Sequence, residues 1–177
     1  MKKILISMVC LVFSTVMFSQ KMITRSGEIK FDATVPGALD PVIGTSNTVS
    51  SIFDKSTGKF VVQGLVKSFK FKSPLMEEHF NENYMESDKL PKTSFKGKVL
   101  NYDGKTGTYD AEGDLTIHGV TNKVKTKVTI SVAGGKLTIV RNFVVKLNDY
   151  KLEVPAMAKK TLAETAKISI KLELENK

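Results

Sequence analysis

Residue types that act in catalysis or bind metals are few and scattered in this sequence. It contains two histidines, His79 and His118, and a single cysteine, Cys10. A protein zinc site gathers three or four such ligands, and two distant histidines do not supply them. Neither a Gly-x-Ser-x-Gly elbow nor a glycine-rich phosphate loop is present. We therefore predict no catalytic residue, no metal and no cofactor.

Two places nevertheless combine charge with an apolar setting. His79 follows Glu77 and Glu78 in a predicted helix, whereas Arg141 falls where apolar residues occupy every second position. A buried guanidinium needs a partner. That partner is a ligand oxygen or an internal carboxylate, unless a bulge turns Arg141 outward. If the protein is an enzyme, its reaction would be expected around His79, Glu77 and Arg141. His118, beside a glycine, is interpreted as a turn residue.

The amino terminus has the pattern of a secretory signal peptide. Lys2 and Lys3 precede an apolar run, 4–12, which is followed by small and polar residues. The run is too short to span a bilayer as a helix, and it contains Cys10. We predict a signal peptide at 1–20, one domain at 21–177, and a location in the periplasm or outside the cell.

The charge balance is basic but evenly spread. The chain has a formal net charge of +9, with 27 Lys and Arg against 18 Asp and Glu. Its lysines stand singly along alternating segments, whereas a groove that binds nucleic acid collects them in one patch. We therefore expect no nucleic-acid partner. Transient contact with a membrane surface and the oligomeric state stay open.

Alternation of apolar and polar residues dominates the rest of the chain, which predicts an all-β fold. About eight strands follow from it, at 27–35, 45–53, 59–72, 93–99, 109–117, 123–132, 137–147 and 166–175. The third is the least regular, and a bulge near Gly64 would explain its change of face. An antiparallel meander with one apolar face buries that face best by closing into a barrel.

Two tight turns are expected to set the register of the central strands. A two-residue turn at Gly119-Val120 would pair His118 with Thr121, and Asp114 with Lys125. The same register pairs Glu112 with Lys127, Leu115 with Val124, and Tyr109 with Ile130. A second turn is predicted at Gly134-Gly135.

Two segments interrupt the alternation and are predicted to cover a barrel mouth. Ser73-Pro74 has the residue types of a helix start, and the apolar stripe of that helix would hold Leu75, Met76, Phe80 and Tyr84. The segment 148–162 contains Pro155 and several small residues, which is typical of a rim loop with one helical turn.

The predicted inner face contains small residues, Gly97, Ala111, Gly113 and Thr126, which would leave space for a ligand. A barrel of this size is either filled by its own side chains or holds one ligand. The residues predicted to contact a ligand come from the inner face and the helix. They are Phe31, Phe69, Phe71, Leu75, Met76, Phe80, Tyr84, Phe95, Tyr109, Ala111, Leu115, Ile117, Val128, Ile130, Leu137, Ile139, Arg141, Phe143, Ile168 and Ile170.

Two motifs resemble those of the YceI family of exported lipid-binding proteins. One runs from Phe80 and Tyr84 through Leu90-Pro91 to Thr93-Ser94-Phe95-Lys96-Gly97, and the other is Gly113-Asp114-Leu115-Thr116-Ile117-His118-Gly119-Val120-Thr121. The resemblance covers essentially the whole of 21–177. It implies a lipocalin-like barrel around a polyisoprenoid or an isoprenoid quinone. The chain departs from the family pattern at Met76-Glu77-Glu78-His79 and at Val35-Pro36-Gly37-Ala38-Leu39, which affects the head-group end of the site.

The leading hypothesis is an exported carrier or sequestering protein for an isoprenoid lipid of the cell envelope. Two alternatives remain: a structural or partner-binding barrel with a filled core, and an enzyme that acts on a lipid at the barrel mouth. If Arg141 meets the ligand, its partner would be a quinone carbonyl or a phosphate.

Overall fold

The computed structural model describes residues 21–177. The predicted signal peptide, with Cys10, lies outside the described residues. The strands are β1 (Lys21–Thr34), β2 (Ile43–Asp54), β3 (Lys59–Leu65), β4 (Lys70–Phe71), β5 (Lys92–Val99), β6 (Gly107–Ile117), β7 (Val120–Ala133), β8 (Lys136–Lys146) and β9 (Leu162–Asn176). The helix α1 (Pro74–His79) continues into a π-helical turn, Phe80–Tyr84, and 3₁₀ turns occupy Val66–Ser68, Leu147–Tyr150 and Ala156–Ala158.

Eight long strands close into an antiparallel barrel. The order around the barrel is β1-β9-β8-β7-β6-β5-β3-β2, and β2 pairs again with β1. The two-residue strand β4 pairs with Gly44 and Thr45 of β2, outside this ring. Since each strand neighbours the next one along the chain, the hairpin meander predicted from the alternation is confirmed, together with its closure and its short helix.

The first two strands change face part of the way along. The β1–β2 register shifts on either side of Gly27. In β2, the buried positions change from Ser46 to Val49 and Phe53, that is, from even to odd numbers. A bulge adds one residue to one strand and so reverses the faces beyond it. The alternation along β2 is therefore weak in the sequence.

The predicted bulge near Gly64 is wrong. β3 pairs with β2 and with β5 without a register shift, and Phe60 and Val62 face inward throughout. The interruption comes just after β3, where the 3₁₀ turn Val66–Ser68 redirects the chain toward β4. Val66 is itself fully buried.

The predicted turn between β6 and β7 is displaced by one residue. The two central residues are His118 and Gly119, both with positive φ (48° and 71°), which is a type I′ geometry. Ile117 therefore pairs with Val120, rather than His118 with Thr121. The other predicted pairs are replaced by Asp114–Lys123, Glu112–Lys125, Leu115–Asn122, Gly113–Val124 and Tyr109–Val128. The second turn, Gly134-Gly135, is confirmed: both residues have positive φ, and Ala133 pairs with Lys136.

The helix begins as its sequence predicts. The Ser73 Oγ accepts a hydrogen bond from the Met76 N–H at 3.4 Å, and Pro74 occupies the first turn. The stripe of Met76, Phe80 and Tyr84 faces the barrel, whereas Leu75 is 58% exposed. No helix within residues 21–177 is long and apolar enough to cross a membrane.

One end of the barrel is filled by its own side chains. Ile130, Leu137, Leu172 and Leu174 are at most 1% exposed there. Phe53 lies edge-on against Tyr102, with ring centroids 5.2 Å apart. The lumen is therefore a packed core at this end.

Candidate functional site

The opposite half of the lumen is incompletely filled. Phe143, Ile168 and Ile170 point inward in the β8–β9 register, yet each is only half-buried. Inward side chains of a packed barrel are normally excluded from water, as Leu172 and Leu174 are here. Apolar surface thus remains uncovered inside the barrel.

Three cavities follow one another through this half of the barrel. A mouth cavity of about 180 Å³ lies beneath α1, a central cavity of about 90 Å³ follows it, and a side cavity of about 930 Å³ opens between β7 and β8. Phe31 and Phe80 line both the mouth and the central cavities, whereas Phe95 and Phe143 line both the central and the side cavities. The side cavity has the volume of a small-molecule site, about 300–1,000 Å³.

The side cavity exists because β7 and β8 pair along only part of their length. Their ladder joins Thr129–Ala133 to Lys136–Val140 and stops there. Beyond it, 120–128 still pair with β6, and 141–146 still pair with β9, so each strand is held on its far side only. At the other end of this gap the Asn122 side-chain amide donates to the Asp149 carbonyl oxygen at 2.8 Å. We call this opening the β7–β8 gap.

Two polar side chains reach the side cavity without a partner. Arg141 lines it from β8, and Thr126 lines it from β7. Within residues 21–177, the buried Arg141 Nε and the Thr126 Oγ1 have no hydrogen-bond partner, and no carboxylate forms an ion pair with the guanidinium. The β8–β9 register runs from Leu137 to Lys146 without a shift, so no bulge turns Arg141 outward. Of the alternatives, an internal carboxylate pair and an outward bulge are therefore both absent from the described chain.

The mouth is covered by α1, and a single carboxylate fastens that helix to the barrel. Glu77 accepts hydrogen bonds from the Lys70 ammonium (2.5 Å) and from the Phe71 backbone N–H (3.2 Å). The bond from Lys70, with that from Phe71 and the positive charge of Lys70, holds the pKa of Glu77 below its usual value. The helix is thus bound to β4 by an ionised group.

His118 connects the β6–β7 turn to the mouth. Its Nε2 lies 3.3 Å from a Glu86 carboxylate oxygen, and its Nδ1 lies 3.4 Å from the Tyr150 carbonyl oxygen. Hydrogen bonds from Lys89 first, and from His118 next, lower the pKa of Glu86. His118 therefore supports the segments that frame the mouth, as its interpretation as a turn residue implies.

Most of the residues predicted to contact a ligand line one of these cavities. Those that do so are Phe31, Phe69, Phe71, Met76, Phe80, Tyr84, Phe95, Leu115, Ile117, Val128, Ile139, Arg141, Phe143, Ile168 and Ile170. Their contact with a ligand remains a prediction. What the structure provides is their convergence on three adjoining cavities that share lining residues.

Five of the predicted residues lie elsewhere. Ala111, Ile130 and Leu137 are buried in the packed end of the barrel. The Tyr109 hydroxyl donates to an Asp103 carboxylate oxygen and to the Lys105 carbonyl oxygen, at the same end. Leu75 points away from the mouth into solvent. Alternation gives the face of a residue but not its height in the barrel, so the four strand positions share the inward parity of the true lining. Leu75 was instead predicted from the helical stripe, and it lies on the exposed side of α1.

The two glycines of the inner face do not create the open space, whereas Thr126 lines the side cavity. Gly97 and Gly113 stand opposite each other, and the Phe95 ring lies over them, with its Cζ 2.5 Å and 2.7 Å from where their Cβ atoms would be. Phe60 packs against that ring at 4.9 Å. The two glycines make room for an aromatic ring of the chain itself. The vacancy instead lies beside the β7–β8 gap.

Sequence reasoning missed several lining residues. Val62 and Val66 were obscured by the irregular third strand, and Tyr150 and Leu152 belong to the segment assigned as a rim loop. Tyr150 is 3% exposed. The apolar spacing of Leu147, Tyr150 and Leu152 was the available signal that this segment returns to the barrel.

The residues of the enzyme alternative are not brought together. His79 lines the mouth cavity, Arg141 lines the side cavity, and Glu77 is bound to Lys70 and Phe71. Among residues 21–177, no three His, Cys, Asp or Glu side chains are grouped so as to hold a metal ion.

Solved structures of low sequence identity share this architecture. A polyisoprenoid-binding domain from Saccharophagus degradans superposes with a TM-score of 0.74 at 12% identity, covering 89% of this chain and 99% of that one. BcnA from Burkholderia cenocepacia gives 0.70 at 16%, covering 85% and 96%. The Campylobacter jejuni YceI protein gives 0.65 at 19%, covering 79% and 88%. At these identities the likeness concerns the fold.

The family was identified from the sequence. No curated protein matches the chain. The model of the YceI-like domain matches residues 14–174, which is most of the chain's 177 residues. The chain therefore belongs to the YceI-like domain family.

Proposed function

We propose that this protein binds a long isoprenoid lipid, with its chain in the open half of the barrel, and carries or sequesters that lipid in the cell envelope. The observation that carries the proposal is the series of three adjoining, largely apolar cavities, from the mouth beneath α1 to the β7–β8 gap, which share lining residues. Membership of the YceI-like family supports it, and a polyisoprenoid-binding domain shares the fold.

The free energies of burial and association favour a long lipid chain over a short one. Burial contributes roughly 0.8 kcal/mol per carbon, or about 4 kcal/mol for each five-carbon isoprene unit. Association costs about 4–15 kcal/mol, so micromolar binding needs on the order of four units. We expect a ligand of that length to extend through all three cavities.

The decisive test is organic extraction of natively purified protein, followed by mass spectrometry. We expect a co-purified polyprenyl species. Delipidated protein should then bind an octaprenyl chain and ignore a two-unit chain. A clean extract, together with no binding of either length, would instead support a barrel that holds no lipid. Equal affinity for the two lengths would contradict a site for a long chain.

A pair of tryptophan variants tests whether the lipid chain lies in the lumen. Ile168→Trp adds bulk to a half-buried position that lines the central cavity, and it should weaken octaprenyl binding by about tenfold or more. Lys167→Trp makes the same addition one residue away, on the outer face of β9, and should leave binding unchanged. Thermal unfolding of both variants verifies that they fold. If both variants bind the octaprenyl ligand with equal affinity, its hydrocarbon chain does not occupy the central cavity.

A further inference from the structure

The β7–β8 gap differs chemically from the remainder of the cavity system. The central cavity is lined almost entirely by apolar side chains. The side cavity is instead lined by both apolar and charged residues. An amphiphile that fills both would place its chain in the first and its polar end in the second.

The polar groups at the gap are mainly donors and cations. Besides Arg141 and Thr126, the side cavity is lined by Lys123, Lys125 and Lys146. Among the described residues, neither Lys123 nor Lys146 forms an ion pair, and Lys125 reaches a Glu112 carboxylate oxygen only at 4.0 Å. Asp149 is the one carboxylate in this lining. The positive charge of this lining favours binding of an anion.

Arg141 and Thr126 add a specific place for that anion. A buried guanidinium nitrogen and a buried hydroxyl are costly when they lack a partner, so such groups normally meet one. Both face the same space from opposite edges of the gap, and a guanidinium is well matched to oxygen anions. If β7 and β8 were paired along their full length, they would close this space.

We infer that the β7–β8 gap is the head-group site for an acidic isoprenoid lipid, whose anionic oxygens are bound by Arg141 and Thr126 while its chain enters the lumen sideways. This inference rests on the proposed function and adds the class of head group. Lys123 and Lys146, at the outer edge, attract the anion from solvent.

The test compares three octaprenyl ligands on delipidated protein: the phosphate, the alcohol and a quinone. The wild type should bind the phosphate about tenfold to a hundredfold more tightly than the alcohol, which is the range for a charge-assisted hydrogen bond. That preference should weaken as salt is raised. Inorganic phosphate, which lacks a chain, should not displace the lipid at equal concentration.

Three variants test whether the preference for the phosphate over the alcohol arises at the β7–β8 gap. Arg141→Met should abolish it while leaving the alcohol bound as before, and Thr126→Val should reduce it. Arg25→Met, at an exposed arginine of β1, is the matched control and should retain it. Thr126→Val also keeps the test decisive if Arg141→Met fails to fold.

The outcomes separate the two proposals. Binding of alcohol, quinone and phosphate with equal affinity, unchanged in Arg141→Met, would overturn the head-group assignment and leave the lipid-binding proposal standing. Tighter binding of the quinone, or full displacement by inorganic phosphate, would also overturn the assignment. Failure of all three ligands to bind would contradict the proposed function itself.

Discussion

At the residue scale, the packing of Phe95 over two glycines gives a direct stability prediction. A Cβ atom at Gly113 would lie 2.4 Å from the Lys96 carbonyl oxygen and 2.5 Å from the Gly97 Cα. Both are backbone atoms, which cannot move without disturbing the β5–β6 ladder. Gly113→Ala should therefore lower the free energy of unfolding by about 1–3 kcal/mol, measured by urea denaturation.

The same strand offers the control for this substitution. At Gly107 of β6 a Cβ would meet the Tyr109 ring at 3.4–3.5 Å, which is ordinary contact. Gly107→Ala should therefore leave stability nearly unchanged. Equal losses in the two variants would contradict the close approach of the β5 backbone to Gly113.

Single residues also show where sequence reasoning reaches and where it stops. Arg141 was predicted to face inward, because the period of two in β8 is unbroken, and the β8–β9 register agrees. Within residues 21–177 it has no ionic partner, which depends on distant segments of the chain, and a pattern within one strand contains no such information. The same limit separates Phe143, which lines the open half, from Leu137, which is buried in the packed end.

At the scale of the element, the fastening of α1 by Glu77 should depend on pH. The pKa of Glu77 is lowered in the folded protein, so its contribution is complete above the ordinary glutamate pKa, about 4.3, and is lost as the pH falls through the lower folded value. The amide of Phe71, which donates to this carboxylate, should report the change. In an NMR titration, we expect its shift to move with a midpoint below about 4.3.

Two variants that replace a carboxylate by an uncharged amide test whether Glu77 is the group that titrates. Glu77→Gln should remove the transition at Phe71, whereas Glu78→Gln, on the same helix, should leave it in place. A midpoint at or above the ordinary value, or a transition that persists in Glu77→Gln, would contradict the ionic contact between α1 and β4.

The β6–β7 hairpin explains why a wrong turn still gave the right faces. The predicted and observed registers differ by two residues in the partner of every position, and side chains alternate with a period of two. Each inward residue therefore stayed inward, while its cross-strand neighbour changed. Gly119 is compatible with two turns: it would be the first central residue of a type II′ turn with Val120, and it is the second central residue of the observed type I′ turn. Histidine is among the non-glycine residues that adopt a positive φ, which permits the second turn.

At the scale of the whole molecule, closure was predictable, but the opening in the wall was not. Alternation along eight strands gives the sheet one apolar face, and closure into a barrel buries that face. The residues 120–128 and 141–146 keep the period of two of their paired neighbours, so the alternation does not mark the lost ladder. The inward polar residues Thr126 and Arg141 belong to these two segments, but a polar side chain does not by itself specify that a ladder ends. The gap results from the relative course of β7 and β8, to which the 3₁₀ turn Leu147–Tyr150 and the Asn122–Asp149 hydrogen bond contribute.

This opening makes a final prediction about amide hydrogen exchange around the barrel. Amides of 120–128 and 141–146 that point into the gap have no strand partner there, whereas those of Thr129–Ala133 and Lys136–Val140 in the same two strands are paired. Exchange follows local opening, so the first set should exchange much faster than the second in residue-resolved NMR.

Since both sets belong to the same strands, a difference in global stability does not explain such a contrast, and protection factors remove the dependence of intrinsic exchange on sequence. An octaprenyl ligand seated in the gap should then slow exchange of the first set selectively, by excluding water from the two edges. Equal protection of both sets without ligand would mean that β7 and β8 pair along their whole length in solution. A barrel of that kind has no lateral entrance, and Arg141 would then have no route to a head group.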